Sequence, residues 1–202
     1  MGIGPEGQER RGAMGERMAQ SVYFEKPGPA NTERTLELAA QRVQELGLGT
    51  ILVASTSGQT GLRAAQRFQG LNVVVVTHST GFKEPNTQEL TPENRAAIEA
   101  LGGKILTCMH AFGGPNRAVR IKLGTYALDE IVAYTLRTLG QGFKVCVEVA
   151  LMAADAGLAR VGEPCLALGG TGRGADTAVV LSPANAQNFL DIKIHEIVCK
   201  PY

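Results

Sequence analysis

Tryptophan is absent from this 202-residue chain, and aromatic residues make up only 5% of it, so any ring standing beside a polar loop is one of very few. Cysteine is scarce too: Cys108, Cys146, Cys165 and Cys199 are far apart, form no CxxC or His/Cys cluster spaced for zinc, and each lies in an apolar run. That pattern excludes a disulfide framework and fits reduced, buried thiols in a cytosolic, cytoplasmic protein. An excess of charge of either sign is also missing, with Lys+Arg 20 against Asp+Glu 19 and a net charge of +1. Without a basic face there is no footprint for counterion release, so nucleic acid is not an expected partner. The longest purely apolar runs, such as Val73-Val74-Val75-Val76, are of strand length. They fall short of the ~20 residues a membrane-spanning helix needs, and no membrane partner is expected. Residues 1–20 carry glycine, glutamate and arginine but no apolar core, which predicts a disordered N-terminal extension rather than a signal or anchor. Residues 21–202 then read as a single α/β domain, long enough to bury roughly 70% of its unfolded surface without disulfide or metal.

What is present is an alternation of β-branched runs and amphipathic stretches. Val22-Tyr23-Phe24 reads as a short strand that Lys26-Pro27-Gly28-Pro29 breaks. Asn31 is placed to cap a helix carrying Leu36, Ala39, Ala40, Val43 and Leu46, which Gly47 and Gly49 end. Thr50 to Ala54 is a strand, followed by a loop and a helix with Leu62, Ala65 and Phe68 on one face. Asn72 to Thr77 is apolar on both faces, as a central strand of a parallel sheet must be. Thr91-Pro92-Glu93 opens another helix, and Lys104 to Cys108 is the next strand. This order predicts a three-layer α/β/α sandwich with a mostly parallel sheet. Beyond it, residues 110–124 read as irregular around a Gly113-Gly114-Pro115 turn, and Tyr126 to Leu139 as a helix with Leu128, Ile131, Val132, Thr135, Leu136 and Leu139 inward. Phe143 to Val149 reads as a strand leading into a helix from Leu151 to Ala156. Pro164 to Leu168, Thr177 to Leu181 and Ile192 to Cys199 read as the closing strands.

Two loops carry the chemistry. Ser55-Thr56-Ser57-Gly58-Gln59-Thr60-Gly61 joins a strand to a helix, where unpaired amides and the helix dipole favour an anion. Ser55, Thr56, Ser57 and Thr60 add hydroxyl donors for phosphate oxygens, and Gly58 and Gly61 are read as permitting close backbone approach. No lysine follows in the GKS or GKT position, so P-loop nucleotide hydrolysis is not expected. The second loop, Gly169-Gly170-Thr171-Gly172-Arg173-Gly174-Ala175-Asp176, precedes a strand rather than a helix, which departs from the dinucleotide fingerprint. Its glycines could wrap a phosphate or flat ring, with Arg173 as charge partner and Asp176 as acceptor.

The run ILVASTSGQTGLRAAQRF followed by NVVVVT resembles the part of the pyruvate kinase C-terminal domain where a threonine/serine/glycine loop holds the phosphate of a sugar bisphosphate effector. GRGADT resembles that domain's glycine-rich effector loop. YFEKPGPANTERTLELA, GQGFKVCVEVALMAADAGL and GGTGRGADTAVVLSPANAQNFLDIKIHEI resemble a family of small stand-alone pyruvate kinase C-terminal-domain-like proteins of archaea and bacteria, a similarity running from Val22 to Tyr202. That resemblance implies bound FMN with no established reaction. It places Ser55, Thr56, Ser57, Gly58 and Thr60 at the flavin phosphate, and Thr171, Gly172, Arg173, Gly174 and Asp176 near the ribityl chain or ring. The catalytic barrel of pyruvate kinase is missing, so kinase activity is not expected.

Two functions follow as expectations. One is an FMN-binding flavoprotein, a flavin-dependent oxidoreductase in which His78, His110 or Glu148 serves as acid, base or hydrogen-bond partner. The other is a non-catalytic sensor or regulatory module for a phosphorylated metabolite such as a sugar bisphosphate. Phe82 and Tyr126 are candidates for ring stacking, His195 reads as structural, and no nucleophile with an adjacent base is visible along the chain. A homo-oligomer is possible on this reading.

Overall fold

The β-branched runs become strands β1 (Val22–Phe24), β2 (Thr50–Ala54), β3 (Asn72–Thr77), β4 (Lys104–Thr107), β5 (Cys165–Gly169), β6 (Thr177–Ser182) and β7 (Lys193–Pro201). The computed structural model describes residues 16–202, so most of the expected N-terminal extension lies outside the described residues; Glu16–Gln20 are exposed and without regular structure. All seven strands join one sheet in the order β1-β7-β6-β5-β2-β3-β4. Pairing is parallel except at β6, which runs antiparallel to both β5 and β7.

Helices α1 (Thr32–Leu46), α2 (Gln59–Arg67) and α3 (Pro92–Ala100) cover one face, where Leu36, Ala39, Ala64, Ala65, Phe68 and Ile98 pack on Ile51, Val53, Val73 and Val75. Helix α6 (Gln141–Asp155) covers the other, with Cys146, Val147, Ala150 and Leu151 against Leu52, Val74, Ala167 and Val179. The alternate residues of β2 and β3 thus enter two separate apolar layers, which is why both faces of these strands are apolar. A three-layer α/β/α sandwich with a mostly parallel sheet is the observed architecture.

The helix starts illustrate two kinds of cap. Thr91 accepts from the Asn94 amide at 3.2 Å with Pro92 at the first helical position of α3, as its sequence predicts. Asn31 occupies the cap position of α1 but sends its side-chain amide back to the Lys26 carbonyl, 2.7 Å away, and makes no capping bond.

Three expectations are corrected by the structure. The expected strand Phe143 to Val149 and the helix after it are one continuous helix, α6, whose side chains from Gly142 to Ala154, Val145 apart, are all buried. A helix enclosed on nearly every side has no polar face, so its sequence lacks the 3.6-residue signal that separates helix from strand. The irregular stretch after His110 contains a further helix, α4 (Pro115–Leu123), opened by Pro115 and closed by Gly124 in the left-handed conformation. Helix α5 (Leu128–Arg137) exists, but Glu130 and Ala133 are its buried residues, while Leu128, Ile131 and Leu139, expected inward, are exposed. It rests on α4 and α6 instead of on the sheet. Among the described residues no helix is long and apolar enough to cross a membrane.

Candidate functional site

Strand order reverses beside β2: the chain proceeds from β2 outward to β3 and β4, whereas β5 lies on the opposite flank of β2. At such a switch point the connections leave the sheet in opposite directions and open a crevice at the carboxyl ends of the strands. A cleft of ≈ 720 Å³ lies there, bounded by Ala54 at the end of β2, Thr77 at the end of β3 and Gly170 just beyond β5. Its size falls within the roughly 300–1,000 Å³ usual for cofactor and metabolite sites.

Both loops singled out in the sequence meet in this cleft. From the first, Ser55, Thr56, Ser57, Gln59 and Thr60 line it at the N-terminus of α2. The Ser55 hydroxyl accepts from the Gly61 amide at 3.0 Å, so this side chain shapes the turn. The Leu62 amide is bonded to the Gly58 carbonyl, which leaves the amides of Gln59 and Thr60 as the donors that a helix start characteristically leaves over. Helix α3 fixes the loop from behind, the Asn94 side-chain amide donating to the Ser57 carbonyl at 2.8 Å. Both glycines are required by this packing. Gly58 has φ +94°, and a Cβ there would stand 2.6 Å from both Asn94 and Leu90; one on Gly61 would stand 2.5 Å from Val75.

From the second loop, Gly170, Gly172, Arg173 and Gly174 line the cleft. Asp176 is placed differently from the expectation. It is fully buried behind the loop, accepting from the amides of Gly28 and Thr171 and from the Thr177 hydroxyl at 2.9, 3.2 and 2.8 Å. Its carboxylate ties the loop to the start of α1, as does the Thr32 hydroxyl accepting from the Ala175 amide. Thr171 contributes through this backbone bond and does not line the cleft. These are positioning roles for both residues.

His78 and His110 face each other at the same edge, ring centroids 5.2 Å apart, with Phe82 stacked 4.1 Å from one and 4.9 Å from the other. His78 Nδ1 lies 2.7 Å from Glu89 Oε2, and its Nε2 lies 3.3 Å from the Thr56 hydroxyl. Burial alone would raise the Glu89 carboxyl, but hydrogen bonds from Lys83 and His78 outweigh it and hold the group below its usual range. In the neutral form of the imidazole, an ionised Glu89 places the His78 proton on Nδ1 and leaves the Nε2 lone pair facing Thr56. Hydroxyl, imidazole and carboxylate therefore stand in line, a relay that can take or return a proton beside the N-terminus of α2. Glu89 and Lys83 were not singled out from the sequence, because only the fold of the loop after β3 brings them to His78.

Burial, the largest influence on His110, lowers its basicity; Glu148 opposes this, and His78, Lys144 and Arg117 reinforce it. His110 is accordingly neutral near pH 7. Glu148 lines the cleft from α6, where it pairs with Lys144 one turn away and accepts from the Phe112 amide at 3.1 Å. Desolvation lowers the Lys144 ammonium against the pull of Glu148. Tyr126 stands apart: it is exposed and packs edge-on against Tyr134, so it stacks on nothing in the cleft. His195 pairs across strands with the Ser182 hydroxyl at 2.8 Å, in keeping with a structural role.

The family model described as "Pyruvate kinase, alpha/beta domain" matches residues 33–181, a span that contains both loops, His78, His110 and Glu148.

Proposed function

Because the chain belongs to the pyruvate kinase alpha/beta domain family, we propose that its cleft binds a phosphorylated ligand, FMN first among the candidates, and that the protein acts as a flavin-dependent oxidoreductase of unassigned reaction. The convergence of the two loops on one cleft at the switch point of the sheet is the observation that carries this reading. The residues fit the group at both ends. Thr56, Ser57 and Thr60 with the first-turn amides of α2 would take the phosphate, and Gly172, Arg173 and Gly174 would border the ribityl chain. His78 and His110 line the cleft and would border the ring system, with Phe82 packed against both imidazoles from the side of the neighbouring pocket. Bound flavin would supply reversible hydride and electron transfer. The chain would orient it, hold His110 neutral for proton exchange, and move a proton through His78 Nε2.

Visible absorption of the purified protein tests the proposal. A yellow preparation that bleaches with NAD(P)H or another donor supports it; a protein that neither retains nor takes up FMN from solution overturns it.

One observation favours a second reading. Arg173 lines the cleft from the second loop, adding a guanidinium to the first-turn amides of α2, and a regulatory module for a sugar bisphosphate needs two such anion-binding groups. Under that reading fructose bisphosphate raises the melting temperature of a colourless protein while FMN does not.

A further inference from the structure

Beside the main cleft lies a smaller pocket of ≈ 240 Å³ between α4, α5 and α6, sharing His78, His110, Gln141 and Glu148 as a common wall. Its charged lining comprises Arg117, Arg120, Arg137 and Lys144 against only Glu130 and Glu148. Two of the cations are committed: Arg120 Nε donates to Glu130 Oε1 at 2.7 Å, and Lys144 pairs with Glu148. Among the described residues, Arg117 and Arg137 have no carboxylate partner. Each guanidinium instead lies over a ring, Arg117 4.6 Å from the centroid of Phe82 and Arg137 4.9 Å from that of Tyr134. Arg137 also donates its Nε to Gln141 at 2.7 Å. Contact with a ring restrains each group while leaving N–H donors that no carboxylate of the described residues takes, and such donors suit bidentate capture of a carboxylate.

A second feature is independent of the arginines. Glu130 has a side chain only 10% exposed, and its Oε2 is buried without any hydrogen-bond partner. A buried acceptor left unmade is costly, and native structures carry few of them. Glu130 lines the pocket, and the terminal torsion of a glutamate is broad, so this carboxylate can turn to accept from a donor bound there.

We propose that this pocket is a second ligand site, taking a small dicarboxylate that also carries a hydroxyl or amine donor. One guanidinium from α4 and one from α5 receive the two carboxylates, and Glu130 Oε2 accepts from the donor. Two separated forks on different helices match two carboxylates better than a single compact phosphate. The shared histidine wall sets such a ligand directly beside whatever fills the main cleft, the position of a substrate next to a cofactor. The site stands whether that cofactor is a flavin, a sugar phosphate or neither.

Calorimetric titration of the full chain with malate, using succinate and glycerol as comparisons, tests it without flavin. Malate is expected to bind at least about tenfold more tightly than succinate, the effect of one hydrogen bond to a charged acceptor, and glycerol not at all. Arg117→Gln and Arg137→Gln, on separate helices and both partly exposed, are each expected to weaken malate by about tenfold or more without altering the melting curve of the free protein. Lys122→Gln, an exposed cation on α4 outside the pocket, is expected to leave malate binding unchanged. Absence of malate binding overturns the proposal. So does equal affinity for malate and succinate, indifference to both arginine variants, or a loss from Lys122→Gln as large as theirs, which would reduce the effect to general charge attraction.

Discussion

Lys144 and Glu148 sit one helical turn apart on α6, 9% and 6% exposed, with the Phe112 amide on the second carboxylate oxygen. Removing one member of so buried a pair strands the other. Lys144→Met is therefore expected to lower stability by about 3–5 kcal/mol in denaturant titration, and Lys144→Met with Glu148→Gln to recover much of the loss, because glutamine is uncharged and can still accept from Phe112. His110 gives a prediction with a sign. Its folded-state basicity is depressed, so near and below its ordinary value of about 6.5 the unfolded chain binds the proton more readily. Its contribution is fully present above that value and is lost as pH falls through it towards the lower folded value. Stability measured between pH 7.5 and 5 (roughly the window around the free histidine value) should decline less steeply in His110→Gln than in the parent protein. In the loop after β2, replacing Thr56 and Thr60 together by valine is expected to weaken binding of FMN or fructose bisphosphate by about 3–6 kcal/mol, at about 1.5–3 per hydrogen bond to a charged acceptor. Unchanged affinity would refute a hydroxyl role in phosphate binding.

Helix α2 is seated by its glycines as much as by its apolar face. With φ +94° at Gly58 and both Asn94 and Leu90 against the place of a Cβ, Gly58→Ala is expected to cost about 1–3 kcal/mol and to lower ligand affinity along with stability, because α3 and the loop must part. A variant with full stability and weakened binding would show that Gly58 faces the ligand after all. Elements that border solvent on one side, such as α1 and α3, announced themselves by period and cap. Helix α6 did not, because enclosure between the sheet and α5 removed the polar half of the pattern. Helix α5 misled in the opposite way: Leu128 and Ile131 follow helical spacing, yet the stripe they mark faces outward, and the sheet-covering position belongs to α6.

Both apolar layers are anchored on opposite sides of the same strands, so neither can dissolve without exposing the other side of β2, β3 and β5. The thiols report on this directly. Cys146 and Cys165 lie in one layer and Cys199 in the other, and burial raises all three, Cys165 to about 12 and Cys199 to about 11. In the native protein these thiols should resist a disulfide reagent, since the thiolate is the reactive form. In urea, Cys146, Cys165 and Cys199 should become reactive together, at the midpoint of the loss of circular dichroism. Separate midpoints for Cys199 and the other two would mean that the faces of the sheet unfold independently.

The sequence by itself determined the fold class and the two loops, because strand periodicity, proline and glycine punctuation and a hydroxyl-rich strand-to-helix turn are local and survive in a linear reading. That Thr56, Ser57 and Thr60 share one hydroxyl-rich turn was legible for the same reason, and the structure sets all three along the cleft. Only the tertiary structure decided that Asp176 faces inward as an anchor, that Glu89 orients His78, and that Glu148 belongs to a helix and pairs with Lys144. It alone brought Arg117 and Arg137 to one pocket and left Glu130 short of a donor. The physical reason is common to all of these: burial and charge pairing depend on which distant elements close over a side chain, and chain order does not specify that contact until the sheet reverses at β2 and the helices settle on it.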